Sequence, residues 1–147
     1  MNCLQKWLAS KHFKMLALPG VQDMAIFSPA KVVILNKHSK PQVQLVTLLH
    51  ECGHVCIYQC RIRRKKRRIA GCSYREWMAE KGRMKRGTCK EALAVLEEEI
   101  EAWERGAKLA KRLGISYPKA VMERERVRAL MTYTRISKKK TVPGAKS

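Results

Sequence analysis

Acid is scarce in this sequence: 12 Asp and Glu stand against 32 Lys and Arg, a formal net charge of +20. That imbalance points to polyanionic partners. Long hydrophobic runs are also lacking. The longest apolar stretches are too short and too interrupted to span a bilayer, which excludes a membrane-spanning helix, and Lys6, Lys11, His12 and Lys14 break up any secretory signal core. No internal repeat is visible, so a repeat array is not expected. Paired CxxC spacing is missing as well: Cys56, Cys60, Cys72 and Cys89 do not follow the pattern of a zinc ribbon, which argues against a second, structural metal. Six cysteines without an export signal read as reduced thiols, and the expected location is the cytoplasm. What remains is a chain of 147 residues, 46% apolar, with three tryptophans. It is long enough to bury its own core. We expect one domain over residues 1–137, with a basic insertion at about 61–90 and a disordered basic tail at 138–147.

The most informative stretch is His50-Glu51-Cys52-Gly53-His54. On a helix, at about 100° per residue, His50 and His54 lie about 40° apart and Glu51 falls about 100° from His50, so all three share one face. Neutral imidazole nitrogens are good zinc ligands, and the glutamate can reach a water beside the ion without entering the coordination shell. The bland alternative is an amphipathic core helix whose histidines only cap or hydrogen-bond.

A helix is predicted from Pro41 to about Cys60, with the proline in the first turn and Leu45, Leu48, Leu49, Cys52, Val55 and Cys56 at helical spacing. Cys52, Cys56 and Cys60 project to the opposite side from His50, so they read as small core side chains rather than ligands. Gly53 costs up to about 1 kcal/mol inside a helix. We expect it to clear space beside the metal.

A catalytic zinc site wants a third protein ligand and leaves a fourth place open. Leu93, Leu96, Ile100, Trp103, Ala107 and Ala110 mark a second helix over Lys90–Leu113, which carries half of the chain's acidic residues. Most of these should face water. Positions three, four and seven away from Glu99 are Ala92, Val95, Leu96, Ala102, Trp103 and Gly106, all apolar or small, so Glu99 is expected to point inward. An isolated inward carboxylate is costly unless paired or metal-bound, which makes Glu99 the candidate third ligand. A buried ion pair with an arginine, or Glu98 as ligand after a small register shift, are the alternatives. Glu101 is a candidate acceptor for a ligand histidine.

Upstream, Lys31-Val32-Val33-Ile34-Leu35-Asn36 reads as a strand, either an ordinary core strand or an edge that could receive an extended peptide. Asn2 to Leu18, with Leu4, Trp7, Leu8 and Met15, suggests an amphipathic helix that ends before Pro19-Gly20. A further helix opens near Pro118, with Val121, Met122, Ala129, Tyr133 and Ile136 on one side and Arg124, Arg128 and Arg135 on another. The class is α+β.

Leu48-Leu49-His50-Glu51-Cys52-Gly53-His54, followed by Glu99-Ile100-Glu101-Ala102, resembles the glutamate-ligand zincin metallopeptidases, and looks most like compact bacterial and phage-encoded members related to the ImmA/IrrE family. The resemblance implies Zn²⁺ on His50, His54 and Glu99, with Glu51 as general base. It also implies a minimal fold: a small sheet against an active-site helix and a glutamate-bearing helix. The expected activity is hydrolysis of a peptide bond in a protein or peptide substrate. Donors for the developing oxyanion could come from Tyr58, Tyr74, Tyr117, Tyr133 or His38, and the sequence does not choose among them.

The charge is unevenly spread. Arg61 to Lys90 holds 13 basic and 2 acidic residues, and Arg61, Arg63, Arg64, Lys65, Lys66, Arg67 and Arg68 fill seven of eight consecutive places. Such density suits an exposed extension or hairpin that attracts DNA or RNA by counterion release. No base-reading motif accompanies the charge, and a merely solvated loop is the alternative. The alternative function is therefore a nucleic-acid-binding module whose zinc is structural or vestigial.

Overall fold

A computed structural model describes residues 2–27, 29–64, 68–69, 72–73 and 89–138, with side-chain surroundings for 3–27, 29–60 and 93–133. Helix α1 spans Asn2–Ser10, followed by strands β1 (Lys14–Leu18), β2 (Met24–Ile26) and β3 (Val32–Asn36). Helix α2 runs Pro41–Arg64, and a short hairpin pairs β4 (Arg68–Ile69) with β5 (Cys72–Ser73). Helix α3 is Cys89–Arg112 and helix α4 is Lys119–Lys138. The protein is an α+β chain, with four helices and a three-stranded mixed sheet among the described residues.

The expected first helix is only half as long as its hydrophobic pattern suggested. The His12 N–H bonds the Ala9 carbonyl and the Phe13 N–H bonds the Leu8 carbonyl, with His12 at φ 62°, which together close α1 in a Schellman motif. Met15 consequently lies in β1, not on the helix. Gly114 closes α3 in the same way, through bonds from Gly114 N–H to Lys111 and Ile115 N–H to Ala110 at φ 65°. Only a left-handed residue turns the chain there, and glycine adopts that conformation without strain.

The sheet order is β1-β3-β2, with β1 parallel and β2 antiparallel to β3. The 31–36 segment is therefore the central strand rather than an edge. Val33 and Leu35 face the core while their neighbours are half-buried, the period of two expected of a pleated strand. The edge beside α2 is β2. Asp23 accepts a hydrogen bond from the Asn36 N–H, and the Gln44 side chain donates to the Asn36 and Lys37 carbonyls, tying the sheet to the first turn of α2.

Pro41 occupies the first position of α2, where its missing N–H is no loss, and the Lys40 carbonyl accepts the first helical bond from Gln44. The core gathers Leu4 and Leu8 of α1, Val33 and Leu35 of β3, Val46, Leu48, Leu49, Cys52 and Val55 of α2, Trp103, Leu109 and Ala110 of α3, and Met122 of α4. Cys52 is fully buried and Cys56 and Cys60 half-buried, all as free thiols. No described helix is long and apolar enough to cross a membrane.

Of the basic insertion, Arg61, Arg63 and Arg64 continue α2 and Arg68 opens β4, so part of the stretch is helix and hairpin. Lys65, Lys66 and Arg67, residues 70–71 and 74–88 of the insertion, and the tail beyond Lys138 lie outside the described residues.

Candidate metal centre

Two glycines set the distance between the helices that carry the site. A Cβ on Gly53 would fall on the Ala102 carbonyl oxygen, and one on Gly106 would fall on that of Leu49. The antiparallel α2 and α3 thus touch backbone to backbone, closer than any larger residue permits. Gly53 makes room for α3 and not, as the sequence suggested, for a metal. His50 stands three residues before Gly53 on α2 and Glu99 three residues before Ala102 on α3, so the same seam that joins the helices brings these side chains face to face.

The Nε2 of His50 lies 3.2 Å from one Glu99 carboxylate oxygen, and the Nε2 of His54 lies 3.5 Å from the other. One turn apart, the two imidazole rings stand with centroids 4.7 Å apart and planes crossed at 78°. One donor atom from each of the three residues falls within 4.8 Å of the others. Donors bound at about 2.0–2.1 Å to a tetrahedral ion sit about 3.3 Å apart, so the carboxylate-to-imidazole spacings suit a metal ion with little adjustment. His50, His54 and Glu99 could hold one.

Glu51 is buried in the same cleft, 3.9 Å from the His50 Nε2. Burial raises its carboxyl to about 7, against the opposing pull of His54 and of a hydrogen bond from the Ala25 backbone on β2. Burial lowers the pKa of His50. For His54 burial acts in the same direction, but the carboxylates of Glu98 and Glu99 overturn it and raise the group to about 10. Glu99, although burial opposes its ionisation, is held well below the usual carboxylate range by its contacts with the two histidines. In the metal-free state the cluster is therefore an ionised carboxylate sharing a proton-bearing imidazole with a neutral one.

The two histidines are supported differently. Glu98 brings a carboxylate oxygen to 3.6 Å from the His54 Nδ1. Trp103 stacks on His50, with ring centroids 4.2 Å apart and planes at 22°, while the buried His50 Nδ1 and Trp103 Nε1 have no hydrogen-bond partner among the described residues. Glu101 is bound by Arg105, at 2.8 Å on the same helix, so Glu98 rather than Glu101 is the carboxylate behind His54.

These groups line a cleft of about 850 Å³ between β2 and the segment before it on one side and α4 on the other, with Glu125, Arg128, Ala129, Thr132 and Tyr133 forming the α4 wall. Of the four oxyanion-donor candidates among the described residues, only Tyr133 lies in this cleft, hydrogen-bonded to Glu99. Tyr58 packs against Phe13 and Phe27 in an aromatic cluster, Tyr117 lines a separate depression, His38 is exposed, and Tyr74 is outside the described residues.

The sequence reading located His50, Glu51, His54 and Glu99, and the structure brings all four together. It named Glu98 only as an alternative ligand and not as the partner of His54, and it missed the Ala25 N–H and the stacking of Trp103. Trp103 lies four residues after Glu99, on the same helical face, and that spacing was the available signal. Compared with known families, curated proteins and solved structures, the chain matches none.

Proposed function

We propose that this chain is a zinc-dependent metallopeptidase of the glutamate-ligand zincin kind, in line with its resemblance to ImmA/IrrE-related proteins. The observation that carries the reading is the convergence of His50, His54 and Glu99 around one point, with Glu51 buried beside them. Two imidazoles, one carboxylate and an open cleft are the donor set of a catalytic zinc site, whereas structural sites close all four positions with protein ligands. Bound there, zinc supplies a Lewis acid that polarises a carbonyl and makes water acidic enough to attack it at neutral pH.

The rest is done by the chain. Glu51, with a carboxyl poised at about 7, takes the proton from the attacking water and hands it to the leaving amine. The outer edge of β2 faces the cleft and has no strand partner among the described residues, so an extended peptide can add to it as a further strand. The Ala25 N–H bonded to Glu51 aligns the base with that edge.

The test is metal content and cleavage measured together. We expect one zinc per chain in the wild type and its loss in His54→Ala and Glu99→Ala. Glu51→Gln should keep zinc and lose peptide turnover by about 10²–10⁴-fold. Equal cleavage by wild type and Glu51→Gln would remove Glu51 as the base, and a full zinc complement in Glu99→Ala would remove it as a ligand.

Nucleic-acid binding is the second reading, favoured by the +20 net charge and by Arg124 and Arg128, exposed on α4 beside the cleft. On this reading Arg61, Arg63, Arg64, Lys65, Lys66, Arg67 and Arg68 add phosphate contacts. The affinity for DNA or RNA should then fall steeply with salt. A peptidase acting on nucleic-acid-associated proteins accommodates both.

A further inference from the structure

We propose that Tyr133 is a catalytic residue of this site, its hydroxyl donating a hydrogen bond to the oxyanion that develops on the scissile carbonyl. The proposal rests on the peptidase reading. Three features of the structure support it. Tyr133 is delivered by α4, the wall opposite β2, so its hydroxyl approaches a peptide held on that edge from the far side. It already reaches the carboxylate of Glu99, which places it within one hydrogen bond of the point where the three donor side chains converge. Finally, it is the one tyrosine among the described residues lining the cleft, a hydrogen-bond donor set among the carboxylates of Glu51, Glu98 and Glu99.

An oxyanion donor must strengthen its hydrogen bond as charge develops on the substrate oxygen. The hydroxyl of Tyr133 can do so by exchanging Glu99 for the oxyanion. No proton is transferred in this step. A tyrosine that merely oriented Glu99 would behave differently, because its loss would weaken metal binding and not the transition state.

The Tyr133→Phe variant separates the two roles. It keeps the ring and removes one oxygen, and its folding is to be checked by circular dichroism. With both proteins fully zinc-loaded, the probe is an N-phosphorylated dipeptide amide, whose tetrahedral phosphoryl group imitates the charged oxygen; the unphosphorylated dipeptide amide is the ground-state control. We expect the phosphorylated probe to bind Tyr133→Phe about 10²–10³-fold more weakly, with the control and the zinc affinity unchanged. In turnover, kcat should fall by a similar factor with KM little altered. Loss of zinc affinity with unchanged probe binding at full loading would reassign Tyr133 to positioning Glu99. Unchanged probe binding together with unchanged zinc affinity would also overturn the proposal, as would a wild type that does not bind the probe. Peptide cleavage by the wild type alongside undiminished kcat in Tyr133→Phe would reject Tyr133 and keep the peptidase. A Tyr133-dependent probe affinity in a wild type that cleaves no peptide would reject the peptidase and leave an oxyanion-binding metal site.

Discussion

The α2–α3 pair has two sides that work under opposite rules. Along the seam, Gly53 meets Ala102 and Gly106 meets Leu49 with no side chain between the backbones, and Cys52, Val55 and Ala110 close a dry core around it. Along the cleft, the same helices present His50, Glu51, His54, Glu98 and Glu99 to an open space of about 850 Å³. Shape decides the first side and charge the second. The dry seam tolerates no added atom, because backbone cannot swing away as a side chain can. The cleft tolerates ionisable groups because each is answered by another, or by a bound ion. The seam is what makes the cleft reproducible: imidazoles and a carboxylate on separate helices meet within 3.2–3.5 Å only if the helix axes are held at a set distance.

The strongest way to break this division is to thicken the seam. Gly53→Val pushes a branched side chain against the Ala102 backbone, and we expect a loss of about 4 kcal/mol or more in urea denaturation, or no folded protein. A variant with wild-type stability and full zinc content would show that the helices are not in backbone contact. A milder test acts on the cleft alone. Glu98→Ala removes the carboxylate behind His54, and zinc affinity should fall about 10–100-fold in a chelator competition while the urea midpoint moves little. The same affinity in both proteins would mean that Glu98 does not orient His54.

The smallest effect sharpens the electrostatic half of the comparison. His54 bears a proton in the metal-free protein up to about pH 10, which a zinc ion binding there would have to displace; His50 is neutral and Glu99 already ionised. Because the raised pKa means that protons compete with zinc, affinity should rise with pH, by about tenfold per unit between pH 7 and 9. Calorimetry in buffers of different ionisation heat should find one proton released per zinc bound. A flat pH profile in that window would assign the proton elsewhere.

How far each part could be read from residues alone follows from the range of the interactions involved. Helical spacing is local, so the start of α2, the extent of α3 and the shared face of His50, Glu51 and His54 were legible, as was the opposite orientation of Cys52, whereas α2 runs four residues past its expected end, into the basic stretch. Glu99 could be singled out from its acidic neighbours because Ala102, Trp103 and Gly106 at helical intervals mark one face of α3. The end of α1 was not legible: the pattern of Leu4, Trp7, Leu8 and Met15 runs on, and only the left-handed turn at His12 breaks it. Nor was the place of the 31–36 segment, since a core strand and an edge strand can share one β-branched pattern, and the answer lies in which segments pair on either side of it.

Glycine shows the limit most clearly. That Gly53 had a packing or access purpose could be inferred from its cost within a helix, but a residue's own chain does not say what approaches it. Periodicity and donor chemistry, both properties of a few consecutive residues, dictated the helices and the kind of site they carry. The choice of Glu98 over Glu101, the presence in the cleft of Tyr133 and not of Tyr58, Tyr117 or His38, and the choice of β2 as the strand facing the cleft came from contacts between segments distant in the chain, which exist only once the backbones have packed.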